Sequence, residues 1–137
     1  MTHLLCIVCL CTAAGCASSA SLPVHRRAPG ALGPYSGSVD YGDLIFASGK
    51  IGQRGVRFAE EVDSAIDAVE AELARAGATL DDVVQATVFL TDLDNYAAFN
   101  EIYARRFGDP FPARACVEVA RLPADARVEI MVIARRP

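Results

Sequence analysis

The stretch PFPARACVEVARLPADARVEIMVIA, residues 110–134, decides how this chain folds. Polar and apolar residues alternate along it, the mark of a strand with one buried face. The alternation runs twice, over Ala113–Ala120 and Arg127–Ala134, with a turn at Leu122–Asp125 between. Two strands paired as a hairpin are expected. On the first, Arg114, Cys116 and Glu118 share one face and Ala115, Val117 and Val119 the other. An arginine at the mouth of an apolar strand, with Glu129 on the strand expected beside it, is unusual chemistry for a plain core hairpin. A guanidinium fork matches a carboxylate bidentately and is seldom buried without such a partner. Two readings stand open at this point. Arg114 grips an acidic ligand, or it forms a structural pair with Glu118 or Glu129.

Outward from this stretch the pattern alternates between strands and helices. Tyr35–Tyr41 and Leu44–Gly49 read as a hairpin turning at Tyr41-Gly42-Asp43. Gly52–Arg57 is a turn that leads to a short third strand or directly into a helix. That helix, Phe58–Ala76, carries Val62, Ile66, Val69, Leu73 and Ala76 at helical spacing, and Gly77 can end it in the left-handed conformation. Val83–Thr91 is an apolar, β-branched strand, and Asp92 or Asp94 can cap a second helix running to Phe107. Its apolar side is Tyr96, Phe99, Ile102, Tyr103 and Phe107. The order is β-β-(β)-α-β-α-β-β, an α+β domain with one sheet and both helices on a single face. No internal repeat or low-complexity segment interrupts it.

Composition narrows the chemistry. A chain of 137 residues with 53% apolar and 22% charged residues suits one domain with a real core. The formal net charge of −4 disfavours a nucleic-acid binder, which wants a basic face. His3 and His25 are the two histidines, and both are expected to precede the folded part. A Ser-His-Asp or Cys-His nucleophile and a histidine-ligated zinc site are thereby disfavoured, and no metal is expected. No glycine-rich phosphate loop is present. The chemistry must come from Arg, Glu, Tyr, Ser, Asn, Cys, backbone groups and water.

The quoted stretch, PARACVEVARLP followed by VEI, resembles the signature end of the RidA family, the YjgF-type imine deaminases. Three further stretches agree and occur in the family's order: APGALGPYSGSVDYGD at Ala28–Asp43, IFASGKIG at Ile45–Gly52, and AGATLDDVVQATVFLTDLDNYAAFNEIYARRF at Ala76–Phe107. The resemblance implies a chorismate-mutase-like fold and a homotrimer with active sites in the clefts between subunits. It implies hydrolysis of enamine/imine intermediates of the 2-aminoacrylate type to 2-oxo acids and ammonia, with no cofactor. Arg114 matches the family arginine that grips the substrate carboxylate. Glu129 matches the glutamate that positions or activates water. Tyr35, in Gly33-Pro34-Tyr35-Ser36, matches a pocket tyrosine. Ser48 and Asn100 match cleft-lining residues, and Cys116 the position whose backbone amide helps bind the carboxylate. Its thiol reads as a packed small hydrophobe.

Lys50, the chain's one lysine, stands where the family usually has Gln, and the segment from Ser48 to the first helix is several residues shorter than in typical members. Both bear on substrate range. A non-catalytic 2-oxo acid binding protein is the first alternative, with the same Arg114 grip and no turnover. The second is a ribonuclease or translation-inhibitor-like activity, which the charge disfavours. The third is a chaperone-like surface role.

The N-terminus reads separately. Leu4–Ala14 is an apolar run too short to span a bilayer, followed by Gly15-Cys16 and a small polar stretch. Ala13-Ala14-Gly15-Cys16 has the outline of a bacterial lipobox in which Cys16 is lipidated, although no Lys or Arg precedes the run. The expectation is a signal and lipobox over residues 1–16, a linker over 17–27 and the domain over 28–137, giving an exported lipoprotein anchored at the membrane through Cys16. A cytoplasmic protein with a mis-assigned start is the alternative. Cys6, Cys9 and Cys11 fall in the signal, which leaves Cys116 alone in the domain and no internal disulfide there.

Overall fold

A computed structural model describes residues 22–137. The expected signal, the lipobox at Cys16 and His3 lie outside the described residues. The chain runs β1 (Val24–Arg27), β2 (Ser36–Tyr41), β3 (Leu44–Ile51), α1 (Phe58–Arg75), β4 (Val83–Leu90), α2 (Tyr96–Phe107), β5 (Ala113–Glu118) and β6 (Val128–Arg135), with short 3₁₀ turns at Leu80–Asp82, Leu93–Asn95 and Pro123–Asp125. The strands form one mixed sheet in the order β1-β2-β3-β6-β4-β5. The α+β layering read from the sequence is what the structure has.

Two expectations change. First, β5 and β6 are not a hairpin: β5 pairs in parallel with β4, and β4 and β3 flank β6 antiparallel. The strand-helix-strand unit β4-α2-β5 demands a parallel partner, and the nine residues 119–127 carry the chain back over β4 to fill the gap beside β3. Second, the tail end of the expected linker is strand β1, paired antiparallel with β2. His25 therefore belongs to the sheet, with Nδ1 3.3 Å from Ser36 Oγ. The turn after Gly52 leads directly to α1, without a third strand.

The core forms where the helices cover one face of the sheet. Val62, Ile66, Val69 and Leu73 of α1 and Phe99, Ile102, Tyr103 and Phe107 of α2 pack on Ile45, Ala86, Val88, Val128, Ile130 and Val132. Gly77, at φ +80°, lets α1 stop: its amide and that of Ala78 take up the carbonyls of Ala74 and Leu73. Ion pairs fasten this layer. Buried Glu61 of α1 accepts from the Arg127 amide and Nε, both at 2.6 Å, and Arg106 of α2 reaches Asp67 of α1 at 2.6 Å. Buried Asp40 of β2 holds Arg26 and Arg136. Among the described residues no helix covers the other face, which presents Phe46, Val117 and Met131.

Candidate active site

Arg114 lies on β5 opposite Ala86, a fully buried core residue, so its side chain enters the helix-covered layer at the sheet edge. There α2 surrounds the guanidinium with rings. Its carbon stands 4.5 Å from the centroid of Tyr103, 5.5 Å from Phe99 and 5.8 Å from Tyr96. One Nη donates to Asn100 Oδ1 at 2.7 Å and approaches the Tyr96 hydroxyl at 3.4 Å. Among the described residues no carboxylate comes within ion-pair distance of Arg114; the carboxylate of Glu118 accepts from the Leu93 amide instead. Ring faces attract a cation without neutralising it. The charge is thus positioned yet available, beside a cavity of about 350 Å³ lined by Asn100, Tyr103, Phe111 and Pro112. The Tyr103 hydroxyl is buried and has no partner among the described residues. Burial lifts its pKa to about 12, with Arg114 pulling slightly the other way, so it stays protonated.

Glu129 lies on β6 opposite Ile51 and Phe89, one residue out of phase with the buried Val128 and Ile130. Strand alternation therefore puts it on the open face. It borders a second cavity of about 230 Å³ with Leu32, Tyr35, Ser48, Gly49, Ile51 and Pro123. Burial raises its pKa above the usual carboxylate value, and no other group offsets this. Its carboxylate lies directly over Gly49, where any Cβ would collide with Oε1. Gly49 therefore makes the room that the Glu129 carboxylate occupies, which shows in the sequence only as one glycine in Ser48-Gly49-Lys50.

The expected residues thus fall into two groups. Tyr35, Ser48 and Glu129 share one cavity; Arg114 and Asn100 share another, with Cys116 two residues along the same strand face. The two groups are on opposite faces of one sheet. The structural Arg–Glu pair left open by the sequence is excluded for Glu129 by this phase difference. Ser48 spends its hydroxyl proton on the Ser36 carbonyl at 2.7 Å, leaving oxygen lone pairs for the cavity. Cys116 is half-buried and packs against the core; burial raises its thiol pKa, with Arg114 opposing, so the thiol is not activated. Because β5 ends the sheet, amides on its outer side have no neighbouring strand among the described residues.

Sequence reading missed the ring cage, since Tyr96, Phe99 and Tyr103 read simply as the apolar side of α2. It also missed the partner of Lys50. The ammonium reaches Glu72 of α1 at 3.0 Å, on the helix-covered side of β3. Glu72 is 4% exposed and also accepts from Ser38 Oγ at 2.9 Å and Arg75 at 3.1 Å.

These features define a class: an α+β sheet protein with an arginine at one sheet edge that has no carboxylate partner among the described residues, and a half-buried carboxylate on the opposite face. Comparison with known proteins gives the class its family. The model of the family described as Endoribonuclease L-PSP matches residues 25–136. The 2-iminobutanoate/2-iminopropanoate deaminase of Escherichia coli is 42% identical over 120 residues, which cover 81% of this chain and 94% of that one. A RutC family protein of Haemophilus influenzae is 42% identical over 121 residues, covering 81% and 93%. Among solved structures, RidA from an Antarctic Psychrobacter superposes with a TM-score of 0.74 at 36% identity, covering 80% of this chain and 94% of that one. Yeast Mmf1 gives 0.74 at 34% identity, covering 78% and 90%. The chain belongs to the RidA (YjgF, L-PSP) family.

Proposed function

We propose that the protein is a hydrolytic deaminase that converts reactive enamine/imine acids of the 2-aminoacrylate type to 2-oxo acids and ammonia. The observation that carries this reading is Arg114: a positioned guanidinium with no carboxylate partner among the described residues, open to a cavity. Such a group binds and orients a small carboxylate bidentately. Family membership and the named E. coli deaminase support the same reaction.

The steps follow from the residues. Arg114, with an outward amide of β5 near Cys116, holds the substrate carboxylate, and Asn100 keeps the guanidinium in plane. Glu129, with Tyr35, holds a water against the imine carbon and accepts its proton as the C–O bond forms. The carbinolamine collapses when that proton passes to nitrogen and Glu129 takes the remaining proton of the hydroxyl, whose oxygen becomes the carbonyl. The C–N bond breaks, ammonia leaves and the 2-oxo acid remains. The imine carbon is electrophilic from the start, so positioning and proton transfer suffice. A carboxyl whose pKa burial has raised is suited to taking and returning a proton.

We assign the complete site to a cleft between subunits of a homotrimer, with Arg114 and Asn100 from one copy facing Tyr35, Ser48 and Glu129 of the next. This is supported by the placement of the two groups on opposite faces of the sheet, by the edge position of β5 and by the apolar open face around Phe46, Val117 and Met131. For the N-terminus, lipidation at Cys16 and membrane anchoring rest on Ala13-Ala14-Gly15-Cys16; the mass of the mature protein, isolated with membranes, tests them. No helix of the described residues is long and apolar enough to cross a membrane.

The test is direct. A dehydratase supplies 2-aminoacrylate, and release of pyruvate and ammonia is followed with the parent and with Arg114→Ala. The expected result is acceleration over the spontaneous rate by the parent and none by the variant. No acceleration by the parent on several imino acids contradicts the reading and leaves a 2-oxo acid binding protein.

A further inference from the structure

We propose that the cavity adjoining the Glu129 pocket is a subsite for a second anionic group, so that the preferred substrates are imino acids with a side-chain carboxylate; this rests on the deaminase reading above. The cavity, about 460 Å³, shares Leu32, Tyr35, Gly49 and Ile51 with the Glu129 pocket. A substrate whose imine carbon sits at Glu129 can send its side chain along this shared wall into the larger cavity.

Charge decides what that side chain carries. Lys50, Arg54 and Arg75 line the cavity, and Glu72 is the one carboxylate among its lining residues. Glu72 is already saturated by Ser38, Lys50 and Arg75. Lys50 has three ammonium protons and spends one on Glu72; its side chain is only 14% exposed. Arg54, on the rim, spends one donor on the Ala124 carbonyl at 3.0 Å. If the cluster only tied α1 to the sheet, Arg75 at 3.1 Å would supply the counter-ion to Glu72, and burying a second cation would add desolvation cost without need. The surplus charge and unspent donors fit an incoming carboxylate. The reaction that supplies this substrate is oxidation of an acidic amino acid at its α-carbon, which leaves a 2-imino dicarboxylate.

The experiment has two readouts. Turnover of 2-iminoglutarate and 2-iminopropanoate, each generated by an amino-acid oxidase or dehydratase, gives the ratio of their kcat/KM values. Calorimetry gives the Kd of 2-oxoglutarate and of 2-oxobutanoate without any need for turnover. The parent is expected to favour the dicarboxylate on both. Arg54→Gln, which touches no carboxylate, and the paired Lys50→Gln/Glu72→Gln, which strands no buried charge, are each expected to cut that preference about tenfold. A preference for the monocarboxylate, or one that neither variant moves, overturns the proposal. Tight 2-oxoglutarate binding that both variants weaken, without turnover of either imine, upholds the subsite and removes the deaminase reading instead.

Discussion

Two glutamates approach strand β3 from opposite faces of the sheet, and the protein treats them in opposite ways. Glu72 comes from α1 on the covered face. Burial pushes its pKa up, but hydrogen bonds from Lys50 and Ser38, with the charges of Lys50 and Arg75, outweigh this and hold it below the ordinary 4.5. Glu129 comes from β6 on the open face and has only burial acting on it, so its pKa goes up. The arginines divide in the same way. Arg106 meets Asp63, Asp67 and Glu70, whereas Arg114 meets an amide oxygen and aromatic rings. Charges that fasten the layers are paired within the chain; Arg114 and Glu129 have no ion-pair partner among the described residues, and each lines a cavity. An unneutralised charge drawn out of water costs stability, and the function proposed above is a reason to retain that cost.

Substituting Glu129 by Gln bears hardest on this contrast. Loss of the proton acceptor is expected to lower kcat by about 10²- to 10⁴-fold, while the protein becomes more thermostable at pH 7. The sign follows from linkage. A folded-state pKa raised above the unfolded value gives a contribution that is present below about pH 4.5 and lost as pH rises through the folded value. Removing the carboxyl therefore raises Tm at neutral pH and has no such effect near pH 4. The acid limb of the parent's kcat/KM profile should lie above pH 4.5. An unchanged kcat would take Glu129 out of the reaction.

Glu61→Gln attacks the paired class instead. It removes the charge that holds the Arg127 amide and side chain, so about 1.5–3 kcal/mol of stability should be lost in a urea titration, with kcat of the folded protein kept. Activity loss with normal stability would break the division between fastening and functional charges.

The ring cage gives a smaller effect. Tyr103→Leu removes the nearest π face from Arg114 and should raise KM about five- to tenfold with little change in kcat. Tyr103→Phe keeps the ring and deletes a buried hydroxyl that has no partner among the described residues, so KM should hold and Tm should not fall. A raised KM in the Phe variant would assign the role to the hydroxyl rather than to the ring.

Much of this was legible in the sequence, for reasons that also mark where legibility stops. Helical spacing from Val62 to Leu73 and the alternation along β6 are local, and both elements form where expected. Pairing is not local. Two alternating strands with a short connection look like a hairpin, and only the preceding strand-helix-strand order hints that β5 belongs with β4. Strand β1, Val-His-Arg-Arg, has almost no apolar signal because it is an exposed edge. Resemblance makes Arg114, Glu129, Tyr35, Ser48, Asn100 and Cys116 candidates, yet their division between two faces needs the register. The Lys50–Glu72 pair spans 22 positions, a distance no motif records.

The most direct test of the account is complementation between Arg114→Ala and Glu129→Gln. Each variant alone should be inactive on 2-aminoacrylate. If Arg114 of one subunit works with Glu129 of the next, denaturing and refolding an equal mixture should restore about a quarter of the parent's activity, since that share of clefts would combine two intact halves. A mixture as inactive as its components, from a parent that is active and refolds under the same conditions, would contradict a site shared between subunits.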